Sequence, residues 1–339
     1  MIGIPDLLKQ HSTPHKIDFK VEVPCPMKNR FQAAFDQFER DHLMATGERF
    51  YSFVPNACGE HVDGTGTIRD LAAMTDPDQL PDICIDFASG PFGSPAMVDR
   101  FVSKGVFDKV IDVSNTPFLI AADRFTDSYG AYNILALNPE VMLVDTRALN
   151  GRPAPHSFED ILDPMWESSV CLPDNHQTIG TRLPTAVWQR FGEDGLAALE
   201  RNACTAMNGP TVARSAGHGT PQAAVYMIPW VFARGAARPG RVDLVWPEDG
   251  ANCNPVILMV KRDRAEKNNA LLDFVLSDTM AQVFADNQIP STRPGTDNGM
   301  PEGAKVRWLG WDHVLSGIQP TLDAEFGLRF ARFHHQNSC

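Results

Sequence analysis

Asp82-Ile83-Cys84-Ile85-Asp86-Phe87-Ala88-Ser89-Gly90-Pro91-Phe92-Gly93-Ser94-Pro95 is the stretch whose reading decides the fold. Ile83, Cys84, Ile85 and Phe87 make an apolar run of strand length over 82–88, and Ser89–Gly93 supplies residues that end strands. Ser94 then reads as a helix cap with Pro95 in the first turn, and Gly105 as the stop of the same helix. The pattern repeats toward the amino terminus. Ile17–Pro24 alternates apolar and polar residues and stops at Pro24-Cys25-Pro26. Phe31, Ala34, Phe35 and Phe38 then follow at helical spacing, up to Gly47. Phe50–Val54 is a second strand, ending in Pro55-Asn56-Ala57-Cys58-Gly59, and Ile68–Met74 a short amphipathic helix. Strand, helix, strand, helix, strand with short connections requires parallel pairing in an α/β sheet.

Beyond residue 130 the same alternation starts again. Ala131–Leu137 reads as a strand ended by Asn138-Pro139, and Val170–Pro173 as another. Helices are expected around Pro184–Phe191 and over Glu193–Arg201, then strands at Ala223–Ile228, Val242–Trp246 and Pro255–Lys261. Glu248-Asp249-Gly250 has the composition of a tight hairpin turn. Two helices, about 265–277 and 279–286, and the loop Ile289–Gly295 close the pattern. No flexible linker separates the halves. The expectation is therefore two α/β lobes joined by crossing strands, one from 1–128 plus 247–339 and the other from 129–246.

The chain has 339 residues, 43% hydrophobic and 21% charged, with a net charge of −12. A chain so composed forms a packed core, and its acidity argues against a general nucleic-acid binder or a basic membrane-surface protein. No apolar run approaches the roughly 18 residues of a membrane span. Met1–Gln10 lacks the basic and apolar regions of a secretory signal, so the expected compartment is the cytoplasm, or the periplasm if a leader has already been removed. Seven cysteines, an odd number in a large chain, point to reduced thiols.

Ligands of open α/β sheets bind beyond the carboxyl ends of the strands. That geometry selects Cys25, the loop Asn56–His61 and the turn Ser89–Ser94. Ser89 and Gly90 lie where backbone N–H groups and a helix start favour an anion or carboxylate. Thr178, Gly180 and Thr181 form a polar loop of the same kind before the helix at Pro184. The turn lacks a phosphate-loop lysine and the dinucleotide fingerprint, so no nucleotide is implied. Cys25, Cys58 and His61 together offer three ligands for a transition-metal ion, with Cys25 near a helix start and Lys28. The bland reading of the same residues is two small core thiols and a surface histidine. Tyr129, beside Gly130, and the acids Glu248 and Asp249 are further contact candidates. No cofactor is implied with certainty.

Three blocks resemble one family. They are Ser157–Trp166 (SFEDILDPMW) with Val170–Pro173, then Val245–Ala251 (VWPEDGA), and Leu271–Ser277 (LLDFVLS) with Gln282 and Ile289–Pro294 (IPSTRP). They are similar to the type II, two-lobed solute-binding proteins of ABC transporters, in the branch linked to iron(III), thiamine, polyamine and phosphonate uptake. The likeness spans roughly residues 17–315. It implies hinge closure over a small molecule or ion in a cleft, and a permease partner. Ser89-Gly90, Thr178–Thr181, Tyr226 and Glu248-Asp249 fall on the family's ligand positions. Iron-binding members carry adjacent tyrosines late in the second lobe, whereas Tyr226 is followed by Met227-Ile228-Pro229. Solute binding without covalent chemistry is the leading reading, in the substrate-binding component of an ABC-type transport system or a cytoplasmic relative of one. The rivals are a Cys/His-based metal-dependent or redox enzyme or sensor on the same fold, and a regulatory protein with an empty cleft.

Overall fold

The computed structural model describes residues 17–54, 71, 74–87, 91–174 and 180–333. Among these described residues ten strands run in chain order: β1 Phe19–Val21, β2 Ser52–Phe53, β3 Ile83–Phe87, β4 Asn133–Asp145, β5 Val170–Pro173, β6 Ala203–Met207, β7 Val225–Pro229, β8 Val242–Val245, β9 Ala251–Val260 and β10 Val306–Arg307. The longer helices are α1 Lys28–Thr46, α2 Arg182–Asn202, α3 Gly209–Ser215, α4 Asn268–Val275, α5 Asp278–Asp286 and α6 Gln319–Phe330. The chain divides into two compact units. One holds Met1–Asn115, Phe125–Leu137 and Pro255–Asn298; the other holds Thr116–Arg124, Asn138–Asn254 and Gly299–Cys339.

In the first unit β1 pairs in parallel with β2 and β3, as the strand–helix alternation requires, and β9 lies antiparallel to β3. The parallel trio brings the carboxyl ends of β1, β2 and β3 to one rim. Phe31 and Phe35 of α1 pack on Phe19 of β1, with ring centroids 6.4 and 5.3 Å away. The same two rings meet Phe284 of α5 and Phe274 of α4. Gly47 ends α1 with φ 77°, a conformation that glycine adopts without a Cβ penalty. Ser94 caps the turn at Pro95 by accepting the Met97 N–H, as expected. At the opposite rim Asp18 accepts hydrogen bonds from the Tyr51 N–H, Lys267 and Asn268, which fastens α4 to the sheet.

In the second unit β4 runs antiparallel to β7 and β8, and β5 runs parallel to β6 and β7. Both faces of this sheet are buried, and the strand residues alternate between two cores. Met142, Val144, Val170, Leu172, Val225 and Met227 face Leu183, Val187, Leu196 and Leu199 of α2 and Leu322, Phe326 and Phe330 of α6. Val141, Leu143, Cys171, Tyr226 and Ile228 face Val212 and Trp230 on the other side. Burial on both faces explains why these strands read as continuous apolar runs. The two helices expected over 184–201 are one element broken at Gly192, whose φ 66° and ψ −158° are open to glycine.

Three expectations need correction. The unit boundaries are not at 128/129 and 246/247: residues 129–137 stay with the first unit, while 247–254, 116–124 and 299–339 belong to the second. The changeover falls inside β4 and β9, and the side chains of α6 complete the second unit's core. Asn138-Pro139 does not end a strand. β4 continues through it, because Pro139 falls between the Leu137 N–H bonded to Pro290 and the β7 pairing that starts at Glu140, where no N–H is needed. Finally, Glu248–Gly250 is a turn, with the Gly250 N–H bonded to the Pro247 carbonyl, but not a hairpin, since β8 pairs with β4. The helix expected at Ile68–Met74 lies largely outside the described residues.

Candidate functional site

The second unit contains a concavity open to solvent. Glu140 of β4, Arg182, Gln189 and Arg190 of α2, Asn252 to Asn254 of β9 and Arg307 of β10 line it, with Trp308 and Leu309 as its apolar wall. Helical spacing explains α2's share: Arg182, Ala186, Gln189 and Arg190 stand at i, i+4, i+7 and i+8, on one face. Leu183 and Val187 point the other way, into the core.

The cations are held in place. Arg190 donates through Nη2 to Asp249 at 2.6 Å, and both side chains are about one-fifth exposed at 18% and 19%. Asp249 also accepts the Phe158 N–H at 3.0 Å. Arg307 donates from Nε and Nη2 to the Asp249 carbonyl at 3.4 and 3.2 Å. Gln189 bridges, accepting from Arg124 and donating to the Leu309 carbonyl. Arg190 Nη1 is buried and has no hydrogen-bond partner among the described residues. Burial first, and then the neighbouring Arg190 and Arg124, lower the proton affinity of Arg307, although Asp249 opposes them. Such a cluster of guanidinium donors meets the geometry of a carboxylate or a phosphate-like oxyanion.

Glu140 is the acid in this wall. Burial pushes its carboxyl up to about 7, against the pull of Arg182. Cys253 is 6% exposed, and burial together with Glu140 raises its thiol well above the ordinary range, so it stays protonated.

The residues singled out from sequence fare unequally. Cys25 starts a short helical turn before α1, but its sulfur is in a disulfide. It is therefore neither a reduced thiol nor a thiolate ligand, which removes it from the expected metal centre. Cys84, Cys171, Cys204 and Cys253 are free thiols, so its partner lies outside the described residues. Cys58, His61, Ser89, Gly90 and Thr178 also lie outside them. Among the described residues no group of three or more His, Cys, Asp or Glu could hold a metal ion. Tyr226 is 2% exposed, and its hydroxyl accepts the Gln222 and Ala223 N–H groups, so it braces a turn instead of facing a ligand. Tyr129 is exposed, in the first unit. The Gly180 N–H is bonded to the Pro173 carbonyl, and the Thr181 hydroxyl donates to Asp323. Glu248 is exposed. Among the described members of that set, Asp249 alone touches the arginine pocket, as the anchor of Arg190. Glu140, Arg182, Arg190 and Arg307 were missed. The helical spacing of the polar residues of α2 was a usable signal, whereas nothing in the sequence brings Glu140 and Arg307 to that face.

The model of the bacterial extracellular solute-binding proteins matches residues 78–316, more than two thirds of the chain. The chain belongs to that family: it is a solute-binding protein. No curated protein matches it significantly in sequence. Solved structures agree on the fold. A Bordetella ferric binding protein has a TM-score of 0.63 at 17% identity, covering 93% of this chain and 100% of its own. An ABC transporter protein from Clostridium perfringens has 0.61 at 15%, covering 94% and 99%. A Trichodesmium protein solved with iron and citrate has 0.60 at 14%, covering 94% and 99%. These are the two-lobed folds that the three sequence blocks resemble. The family and the Bordetella neighbour are binding proteins, and the enzyme or sensor reading finds no support among these matches. No described helix is long and apolar enough to cross a membrane.

Proposed function

We propose that the chain is the solute-binding component of an ABC importer, acting outside the cytoplasm, and that its solute is a small oxyanion held by Arg182, Arg190 and Arg307. The observation that carries the choice of ligand is Arg190 Nη1, a buried guanidinium donor with no acceptor among the described residues. An unmade hydrogen bond to a charged donor is costly, and an arriving oxyanion would satisfy it. The extracellular family supports a site of action beyond the inner membrane, and so does the disulfide at Cys25, since such bonds persist in oxidising compartments.

A transition-metal ion is the second reading, favoured by the Bordetella and Trichodesmium neighbours, whose names record iron. Thermal melting with phosphate, sulfate, phosphonates, citrate or ferric citrate separates the two. At a concentration about 100 times its Kd, a bound oxyanion stabilises the chain by about 2.7 kcal/mol. Stabilisation by ferric citrate and by none of the metal-free oxyanions would overturn the oxyanion reading.

A further inference from the structure

This inference rests on the oxyanion reading and concerns which oxyanions the pocket accepts. We propose that Glu140 is its specificity-determining residue: an oxyanion that carries its own hydroxyl proton binds directly against the Glu140 carboxylate, whereas a fully deprotonated one binds only with a proton taken up by Glu140.

The other polar groups lining the pocket all supply donors: the guanidiniums of Arg182, Arg190 and Arg307 and the amides of Gln189, Asn252 and Asn254. Glu140 is the exception, the single acidic side chain in the lining among the described residues. The other acid nearby, Asp249, is engaged by Arg190 and the Phe158 N–H. An ionised carboxylate only accepts hydrogen bonds, and so does an oxyanion without a hydroxyl. Two such groups in one pocket repel unless one proton lies between them. Hydrogen phosphate brings that proton and donates it to the carboxylate. Sulfate has none to bring, so the proton must come from solvent and sit on Glu140, which then donates to the sulfate oxygen.

The surroundings make this exchange accessible near neutrality. Arg182 and Arg190 come from α2, Arg307 from β10 and Cys253 from β9. Arg182 favours the ionised form of Glu140 and burial favours the protonated form, with burial the larger. Cys253 stays a neutral thiol, and Asp249 offsets much of the charge of Arg190. Pro229, opposite Glu140 on β7, carries no titratable group.

The test is isothermal calorimetry of the full chain with inorganic phosphate and with inorganic sulfate. Each is titrated in two buffers of different ionisation enthalpy, at several values over roughly pH 7.5 to 8.5, where phosphate is largely the hydrogen phosphate dianion. Sulfate binding is expected to take up about one proton and to weaken about tenfold over that pH unit. Phosphate binding is expected to take up almost none and to change less than about threefold. In Glu140→Gln, whose amide donates at every pH, the sulfate dependence should vanish. Equal proton uptake for both anions, no uptake for sulfate, or a pH slope that survives in the variant would overturn the role of Glu140 and leave the oxyanion site standing. If neither anion bound the wild type, the oxyanion reading would fall and this inference with it.

Discussion

Replacing Arg190 by Met removes the guanidinium and keeps most of the stem that packs in α2. Two separate losses follow. The first is the ion pair with Asp249, 2.6 Å long, between side chains that are 18% and 19% exposed. A pair so partly hydrated contributes modestly, and Asp249 retains the Phe158 N–H, so the unliganded protein should lose about 1 kcal/mol, or about 2–4 °C in Tm. The second is the Nη1 donor, buried and unsatisfied until a solute arrives. A charge-assisted hydrogen bond contributes about 1.5–3 kcal/mol, so affinity for the stabilising oxyanion should fall about 10- to 150-fold. Melting of the unliganded variant reads the first loss. Titration followed by tryptophan fluorescence reads the second, since Trp308 lines the pocket. Undiminished affinity would refute the assignment of Arg190 as a solute contact. A Tm drop beyond about 8 °C with unchanged affinity would show that the residue only ties Asp249 in place.

Tyr226→Phe should leave solute affinity within about twofold while costing about 1–3 kcal/mol, because two N–H groups lose their acceptor; a large affinity loss would restore Tyr226 to the site. Cys25 should resist alkylation in the native protein until reductant is added, and Cys25→Ser should cost about 2–4 kcal/mol. Immediate labelling of Cys25, read by mass spectrometry, would contradict the disulfide. Gly250→Ala should lower Tm measurably, at a cost of about 1–3 kcal/mol, since Gly250 has φ 93° and a Cβ there would approach Ile120 Cδ1 to 2.4 Å. A neutral result would mean that this turn yields easily.

Much of the fold is legible in the residues because local signals and tertiary demand agree. Ser94-Pro95 before a helical turn, Gly47 after the phenylalanine stripe of α1 and Gly192 at the break in α2 each state a backbone requirement on their own. The misses have long-range causes. β6, Ala203–Met207, is a short run following directly on a helix, and its strand character comes from β5 beside it. Val306–Arg307 is two residues long and exists as β10 by pairing with β9. α6 shows no sharp amphipathic pattern, yet Leu322, Phe326 and Phe330 close a core built by residues far earlier. The pocket was harder still. Its charged residues come from β4, α2 and β10, braced by the 249 turn, and loop signals drew attention instead to places such as Gly180 and Thr181, whose polar groups bond within the chain.

The interleaving of the two units has a consequence for synthesis. The first unit cannot complete its sheet until β9 lies beside β3, and the strands meeting there, such as Ile85 with Leu258, are separated by more than half the chain. Residues 138–254, by contrast, bring most of the second unit in one continuous piece. On a ribosome the half that begins first therefore finishes late, holding its β1–β3 edge open while the middle of the polypeptide is still being made.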